Sequence, residues 1–278
     1  MLVSVITAAC DAQRTLGRMV ESLKAQTHAG WEAIVVADDG YDYEAHLRRD
    51  GLNDRRIAFV STGCVHSGTF KARNLGLSHA QGDIVATLDA DDLFRPARLA
   101  TLVPLVREHG VATDNPAVVD NDTGRLLYRA FDAAGRTGQI GIAALLDLTT
   151  PLFPVMTREL AMPQVEDITH GDDVVANLRL IDRAGPMLAL PESLMEYRVV
   201  TGSVCHAPNS ALMFDQAYGD ILTRLQHGDG FALSEANRAV AAAGIVRKRA
   251  LNREFARAQA SDPDLNFQQF AARRAPPA

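Results

Sequence analysis

Gly82-Asp83-Ile84-Val85-Ala86-Thr87-Leu88-Asp89-Ala90-Asp91-Asp92 carries an apolar run straight into three carboxylates within four residues. The run over 84–88 predicts a strand. Three carboxylates this close repel one another and are costly unless a cation or hydrogen-bond donors compensate them. Mg²⁺ or Mn²⁺ is the simplest compensation, since such an ion takes one or two protein carboxylates and fills its other positions with water and substrate phosphates. The plainer alternative is a strand-to-helix turn with capping aspartates. Ligands of open parallel sheets collect beyond the carboxyl ends of the strands, so the position of the cluster favours the metal reading.

Outward from this stretch, the first 110 residues alternate short β-branched runs with helical spacing, which predicts an α/β fold with a mostly parallel sheet flanked by helices. Strands are expected over 3–8, 33–37 and 57–60. Leu16, Met19, Val20 and Leu23 recur at i, i+3, i+4 and i+7, as do Leu99, Leu102, Val103 and Val106 after Arg95-Pro96, and a helix is expected over 69–80. Beyond 110 the pattern turns to mixed short strands, with a turn at Gly135-Arg136-Thr137-Gly138, a helix over 140–146 and strands over 152–156 and 188–190. From about 207 the chain is Ala-rich and helical. The expected division is 1–110, 111–206 and a helical C-terminal extension over 207–278. Asp38-Asp39-Gly40, at the end of the second strand, is both a turn signature and a candidate acceptor for a base or ribose, with Asp39 favoured.

Composition narrows the function. The 278 residues are 47% hydrophobic with a formal net charge of -6, enough for a core and contrary to a protein that coats nucleic acid. Three scattered cysteines, Cys10, Cys64 and Cys205, read as reduced core or near-core thiols of a cytoplasmic protein. The apolar start Met1-Leu2-Val3-Ser4-Val5-Ile6 lacks a basic n-region and reads as a strand, and no stretch approaches the roughly 18 to 20 apolar residues of a membrane span.

Val3-Ser4-Val5-Ile6-Thr7-Ala8-Ala9, Ser22-Leu23-Lys24-Ala25-Gln26-Thr27, Val36-Ala37-Asp38-Asp39-Gly40, Ala72-Arg73-Asn74-Leu75-Gly76-Leu77, Gly82-Asp83-Ile84 and Leu88-Asp89-Ala90-Asp91-Asp92 together resemble the family 2 glycosyltransferases of the GT-A fold. The resemblance implies a Rossmann-like sheet and a nucleoside diphosphate sugar donor, UDP-linked by family habit. Thr7, Ala8, Asp39 and Arg73 would hold its base and ribose or diphosphate. Asp89 would sit near the ribose, and Asp91 would ligate the metal.

His170-Gly171-Asp172-Asp173-Val174-Val175-Ala176-Asn177-Leu178-Arg179-Leu180 is similar to the family's Glu-Asp segment, with Asp172 at the Glu position and a six-residue step from Asp173 to Arg179. Asp173 is thus the candidate base of an inverting single displacement, since the acceptor hydroxyl must lose a proton as it attacks. Helix capping is the alternative role for both aspartates. Leu190-Pro191-Glu192-Ser193-Leu194-Met195-Glu196-Tyr197-Arg198 also resembles the family. The histidine usual just after Tyr-Arg is missing, and His206 stands nearby as a candidate for the metal or diphosphate.

Stretches 147–153 and 161–170, with Thr149, Thr150, Glu166 and His170, are candidates for the acceptor wall. The acceptor would be a saccharide, a lipid-linked saccharide or a small metabolite. The basic run Arg247-Lys248-Arg249 with Arg253 and Arg257 could touch anionic lipid at a membrane face, or form an ordinary solvated helix or a homodimer contact. Competing functions are a nucleotidyltransferase, against which the absence of glycine before Gly17 speaks, and a non-catalytic sugar-nucleotide binder, against which the presence of Asp91 and Asp173 speaks.

Overall fold

The computed structural model describes residues 1–132, 137–168, 170–200 and 210–274. In chain order the elements are β1 (Val3–Ala9), α1 (Leu16–Lys24), β2 (Trp31–Ala37), α2 (Tyr43–Arg49), β3 (Ile57–Ser61), α3 (Thr69–His79), β4 (Ile84–Thr87), β5 (Leu93–Phe94), α4 (Arg98–His109), β6 (Val111–Thr113), β7 (Ala117–Asp120) and β8 (Leu126–Arg129). They continue with β9 (Gly138–Ile140), α5 (Ile142–Asp147), β10 (Val155–Thr157), α6 (Asp172–Ala184), β11 (Met187–Ala189), β12 (Met195–Val199), α7 (Ser210–His227), α8 (Glu235–Ser261) and α9 (Phe267–Ala272).

The main sheet has the order β3-β2-β1-β4-β10-β6-β11-β9. Its first four strands are parallel, and β10 is inserted antiparallel between β4 and β6. A smaller sheet, β5-β12-β7-β8, pairs the strand after the Asp89–Asp92 turn with the Tyr197-Arg198 strand. The α1 face foreseen from spacing is the buried one: Leu16, Met19, Val20 and Leu23 all lie in the core under β1, β2 and β4.

Close approach explains one residue of the Ala72–Leu77 motif. A methyl group on Gly76 would come within 2.6 Å of Ile6 Cγ2, so only glycine lets α3 lie this near β1. A second core joins α5, α6 and β11 to α7 and α8, so the C-terminal helices share apolar contacts with the helix that carries Asp172 and Asp173. Between the layers lies a fully buried ion pair: Arg98 Nε donates to Asp114 Oδ1 at 2.8 Å, Arg98 Nη2 donates to the Phe153 carbonyl at 2.6 Å, and both side chains have 0% exposure.

Several boundaries differ from the sequence reading. The strand expected over 152–156 is Val155–Thr157, because Pro151 and Pro154 bring no N–H to a ladder and leave Leu152 and Phe153 as buried loop residues. The helix expected over 140–146 begins after Gly141, Ile140 having joined β9. Half of the expected turn, residues 135 and 136, lies outside the described residues, and Gly138 opens β9. Cys10 and Cys64 are exposed, which corrects their reading as core thiols; Cys205 lies outside the described residues. Among the described residues no helix is long and apolar enough to cross a membrane.

Candidate active site

The carboxyl ends of β1, β2 and β4 open on a cleft of about 1010 Å³, whose lining includes Ala8, Asp38, Arg73, Asp89, Asp91, Asp172, Asp173 and Lys248. This is the size range of pockets that enclose whole ligands.

Arg73 organises the cleft. It rises from α3 with an 8% exposed side chain and splits its guanidinium between two carboxylates, donating from Nη2 to Asp89 Oδ1 at 2.5 Å and from Nη1 to Asp172 Oδ2 at 3.0 Å. One planar fork therefore ties the end of β4 to the start of α6, 99 residues apart in the case of Arg73 and Asp172. Burial works against its charge, but Asp89 and then Asp172 more than compensate and hold its pKa above the usual arginine value. The neighbouring Asn74 clamps a different segment: its Nδ2 donates to the Gln164 carbonyl at 3.0 Å and to Glu166 at 2.8 Å.

Neither acidic cluster caps a helix through a side-chain hydrogen bond, although Asp172 and Asp173 stand in the first turn of α6, where its dipole favours them. The helix after Asp89–Asp92 starts only at Arg98, with Ala97 at its N-cap. Gly171 occupies the N-cap of α6 in a left-handed conformation at φ 79°, and no side chain caps that end. Burial, then the charge of Asp89, push the Asp91 carboxyl up to about 6. Burial, then Asp172, raise Asp173 to about 6 as well, with Lys248 and Arg73 pulling in the opposite sense. Asp92 is fully buried; its Oδ1 accepts from the Arg198 backbone N–H at 2.7 Å, while its Oδ2 has no partner among the described residues.

At the end of β1 and β2 the cleft is lined by Ala8, which the sequence singled out, and by Asp38, the neighbour of the favoured Asp39. Thr7 has 0% exposure and its Oγ1 finds no partner among the described residues, whereas Ala8 lines the cleft. Asp39 is occupied by its own loop, accepting from the Tyr43 hydroxyl at 2.6 Å and from the backbone N–H groups of Asp11 and Tyr41 at 2.8 and 3.0 Å. Burial opposes its ionisation, but these bonds prevail and lower its pKa. Asp38 lines the cleft and accepts from Thr62, Ser67 and the Gly68 N–H.

Three cations of the cleft had no site role in the sequence reading, which named Lys248 only in the basic run and Arg198 only within a motif. Arg18, on α1, donates to the neutral Asn121 Oδ1 at 2.6 Å, and burial and then the nearby Arg198 lower its pKa. Arg198 pairs with Glu196 at 2.8 Å, and among the described residues the Nε atoms of both arginines are buried without a partner. Lys248 turns in from α8: its Nζ donates to the Leu148 carbonyl at 2.7 Å, and burial lowers it to about 8 against the pull of Asp173. Helical spacing marked only the apolar stripe Leu16, Met19, Val20 and Leu23 beside Arg18, and Lys248 lies within a run of cations; Arg198 stood inside a quoted motif. Within the same basic run Arg247 pairs with Asp147, and Arg249 and Arg253 share Asp215.

Of the acceptor-wall candidates, Thr149 and Thr150 line the cleft and bond to Tyr128, Glu166 is engaged by Asn74, and His170 packs edge-on against Phe214 at 5.4 Å. His206 lies outside the described residues.

The model of the family described as Glycosyl transferase family 2 matches residues 4–151. TuaG of Bacillus subtilis (strain 168), named for teichuronic acid biosynthesis, is 29% identical over 213 residues, covering 73% of this chain and 81% of TuaG. WfgD of Escherichia coli, a UDP-Glc:alpha-D-GlcNAc-diphosphoundecaprenol beta-1,3-glucosyltransferase, is 28% identical over 124 residues, covering 44% of this chain and 48% of WfgD. The crystal structure of S. aureus TarS 1-349 in complex with UDP-GlcNAc superposes with a TM-score of 0.67 over 98% of this chain and 79% of that one, at 18% identity, a likeness of fold.

Proposed function

The chain belongs to glycosyl transferase family 2, and on that footing we propose that it moves one hexose from a UDP-linked donor to a hydroxyl of a growing or lipid-linked glycan, with inversion at the anomeric carbon. The observation that carries this reading is the Arg73 fork, which ties Asp89, beside the proposed metal carboxylate, to Asp172, beside the proposed base.

Asp173 acts as the base. Raised to about 6, it is ionised at neutral pH yet more basic than an ordinary aspartate. The acceptor oxygen forms its bond to the anomeric carbon, its proton passes to Asp173, and the bond from that carbon to the diphosphate oxygen breaks on the opposite face. Asp172, fixed by Arg73, shapes the acceptor side. Ala8 and Asp38 line the base and ribose end, with Thr7 and Asp39 supporting them from behind. Arg18 and Arg198, two partly desolvated guanidiniums that repel each other, gain from an anion between them and contact the diphosphate.

The donor set at Asp91 fits a hard divalent cation: a carboxyl pushed to about 6 by burial and by Asp89 carries negative charge that Mg²⁺ or Mn²⁺ relieves. Bound there, the ion would stabilise the charge of the departing diphosphate. UDP release from UDP-glucose and UDP-GlcNAc, followed with and without Mn²⁺, tests the reading. Asp173→Asn is expected to bind UDP as the wild type does and to lose turnover; full turnover in that variant would remove Asp173 from the role of base.

A further inference from the structure

A second ligand set, unrelated to Asp91, stands where β1 enters the cleft. Cys10 and Asp11 follow that strand, and His66 comes from the loop before α3. Cys10 Sγ lies 3.2 Å from His66 Nδ1, and among the described residues these three side chains form the group of Cys, His and acidic ligands whose donor atoms all fall within 4.8 Å of one another. A tetrahedral Zn²⁺ separates neighbouring S, N and O donors by about 3.4 to 3.6 Å. Rotamer changes of roughly an ångström close the gap.

The backbone is committed to this arrangement. Asp11 and His66 both hold left-handed conformations, with φ of 53° and 56°. Few residues other than glycine adopt these conformations, aspartate and histidine more readily than most. Hydrogen bonds hold each in place, from the Asp11 N–H to Asp39 Oδ2 at 2.8 Å and from the His66 N–H to the Asp38 carbonyl at 2.7 Å. All three side chains are exposed and line the cleft.

We propose that Cys10, Asp11 and His66 form a binding site for a borderline-soft divalent cation of the Zn²⁺ type. The mixed sulfur, nitrogen and oxygen set selects such an ion over Mg²⁺. On binding, the Cys10 thiol gives its proton to solvent, and the thiolate and the Asp11 carboxylate together neutralise the dication. The remaining coordination position is left for water or for a ligand in the cleft.

Co²⁺ titrated into the metal-stripped full chain provides the test, because a thiolate bound to Co²⁺ gives a charge-transfer absorption that carboxylates do not. The expected result is a band that saturates at one equivalent, is retained in Cys64→Ser and Asp91→Ala, and is lost in Cys10→Ser and His66→Ala. Far-UV circular dichroism of the latter two should match the wild type, as exposed positions predict. A wild-type chain without the band at tenfold excess of Co²⁺, or a band that survives in Cys10→Ser or His66→Ala, overturns the proposal.

Discussion

Asp173 sits at the first turn of α6 as a carboxyl raised to about 6, and its protonation has a direct kinetic sign. As the proposed base, Asp173 takes up a proton as pH falls through that value, so the base is lost below about pH 6. Turnover is expected to fall about tenfold per pH unit on that side and to level off above it, as a pH–rate profile would show. Asp173→Asn should lower kcat by on the order of a hundredfold or more, with UDP affinity little changed in calorimetry. Lys248 pulls Asp173 the other way, so Lys248→Met should move the acidic limb to higher pH. Arg73 illustrates how far single residues were legible. The motif located it, but its buried fork to Asp89 and Asp172 depends on a helix that begins 99 residues later in sequence, a distance no local pattern spans. The choice of Asp39 over Asp38 has a similar origin, since which carboxylate faces the cleft depends on where Tyr43, Thr62 and Ser67 place their hydroxyls.

At the scale of elements, the parallel half was readable because burial there repeats regularly. β1 is buried almost throughout, and α1 buries the four positions that spacing selects. β5 to β12 are only two to five residues long and resist such reading, because their pairing partners are remote and prolines interrupt the runs. The pair Arg98–Asp114 holds this irregular half to α4, and Asp114 Oδ2 also accepts the Leu194 N–H at 2.8 Å. Arg98→Met strands a buried carboxylate and is expected to cost about 3–5 kcal/mol, seen as a fall of roughly 10 °C in Tm. Gly76→Ala drives a methyl group towards Ile6, 2.6 Å away, and should destabilise by overpacking alone, about 1–3 kcal/mol by denaturant unfolding.

Across the whole molecule, the C-terminal helices complete both the core and the cleft. Ile221, Leu225, Ala241 and Ile245 pack into the cluster that supports α6, and α8 crosses α5 so closely that a methyl on Gly244 would meet Leu146 Cδ1 at 2.4 Å. Their helical nature was legible from composition, whereas the inward turn of Lys248 and the pairing of the surrounding arginines required the packed structure. The proposed cleft, binding a nucleoside diphosphate sugar with the help of a cation at Asp91, is tested most directly by calorimetric titration of UDP with and without Mn²⁺. One-to-one binding is expected that Mn²⁺ strengthens in the wild type and no longer strengthens in Asp91→Ala. Failure of UDP and of every other nucleoside diphosphate to bind the wild-type chain, with or without Mn²⁺, would contradict it.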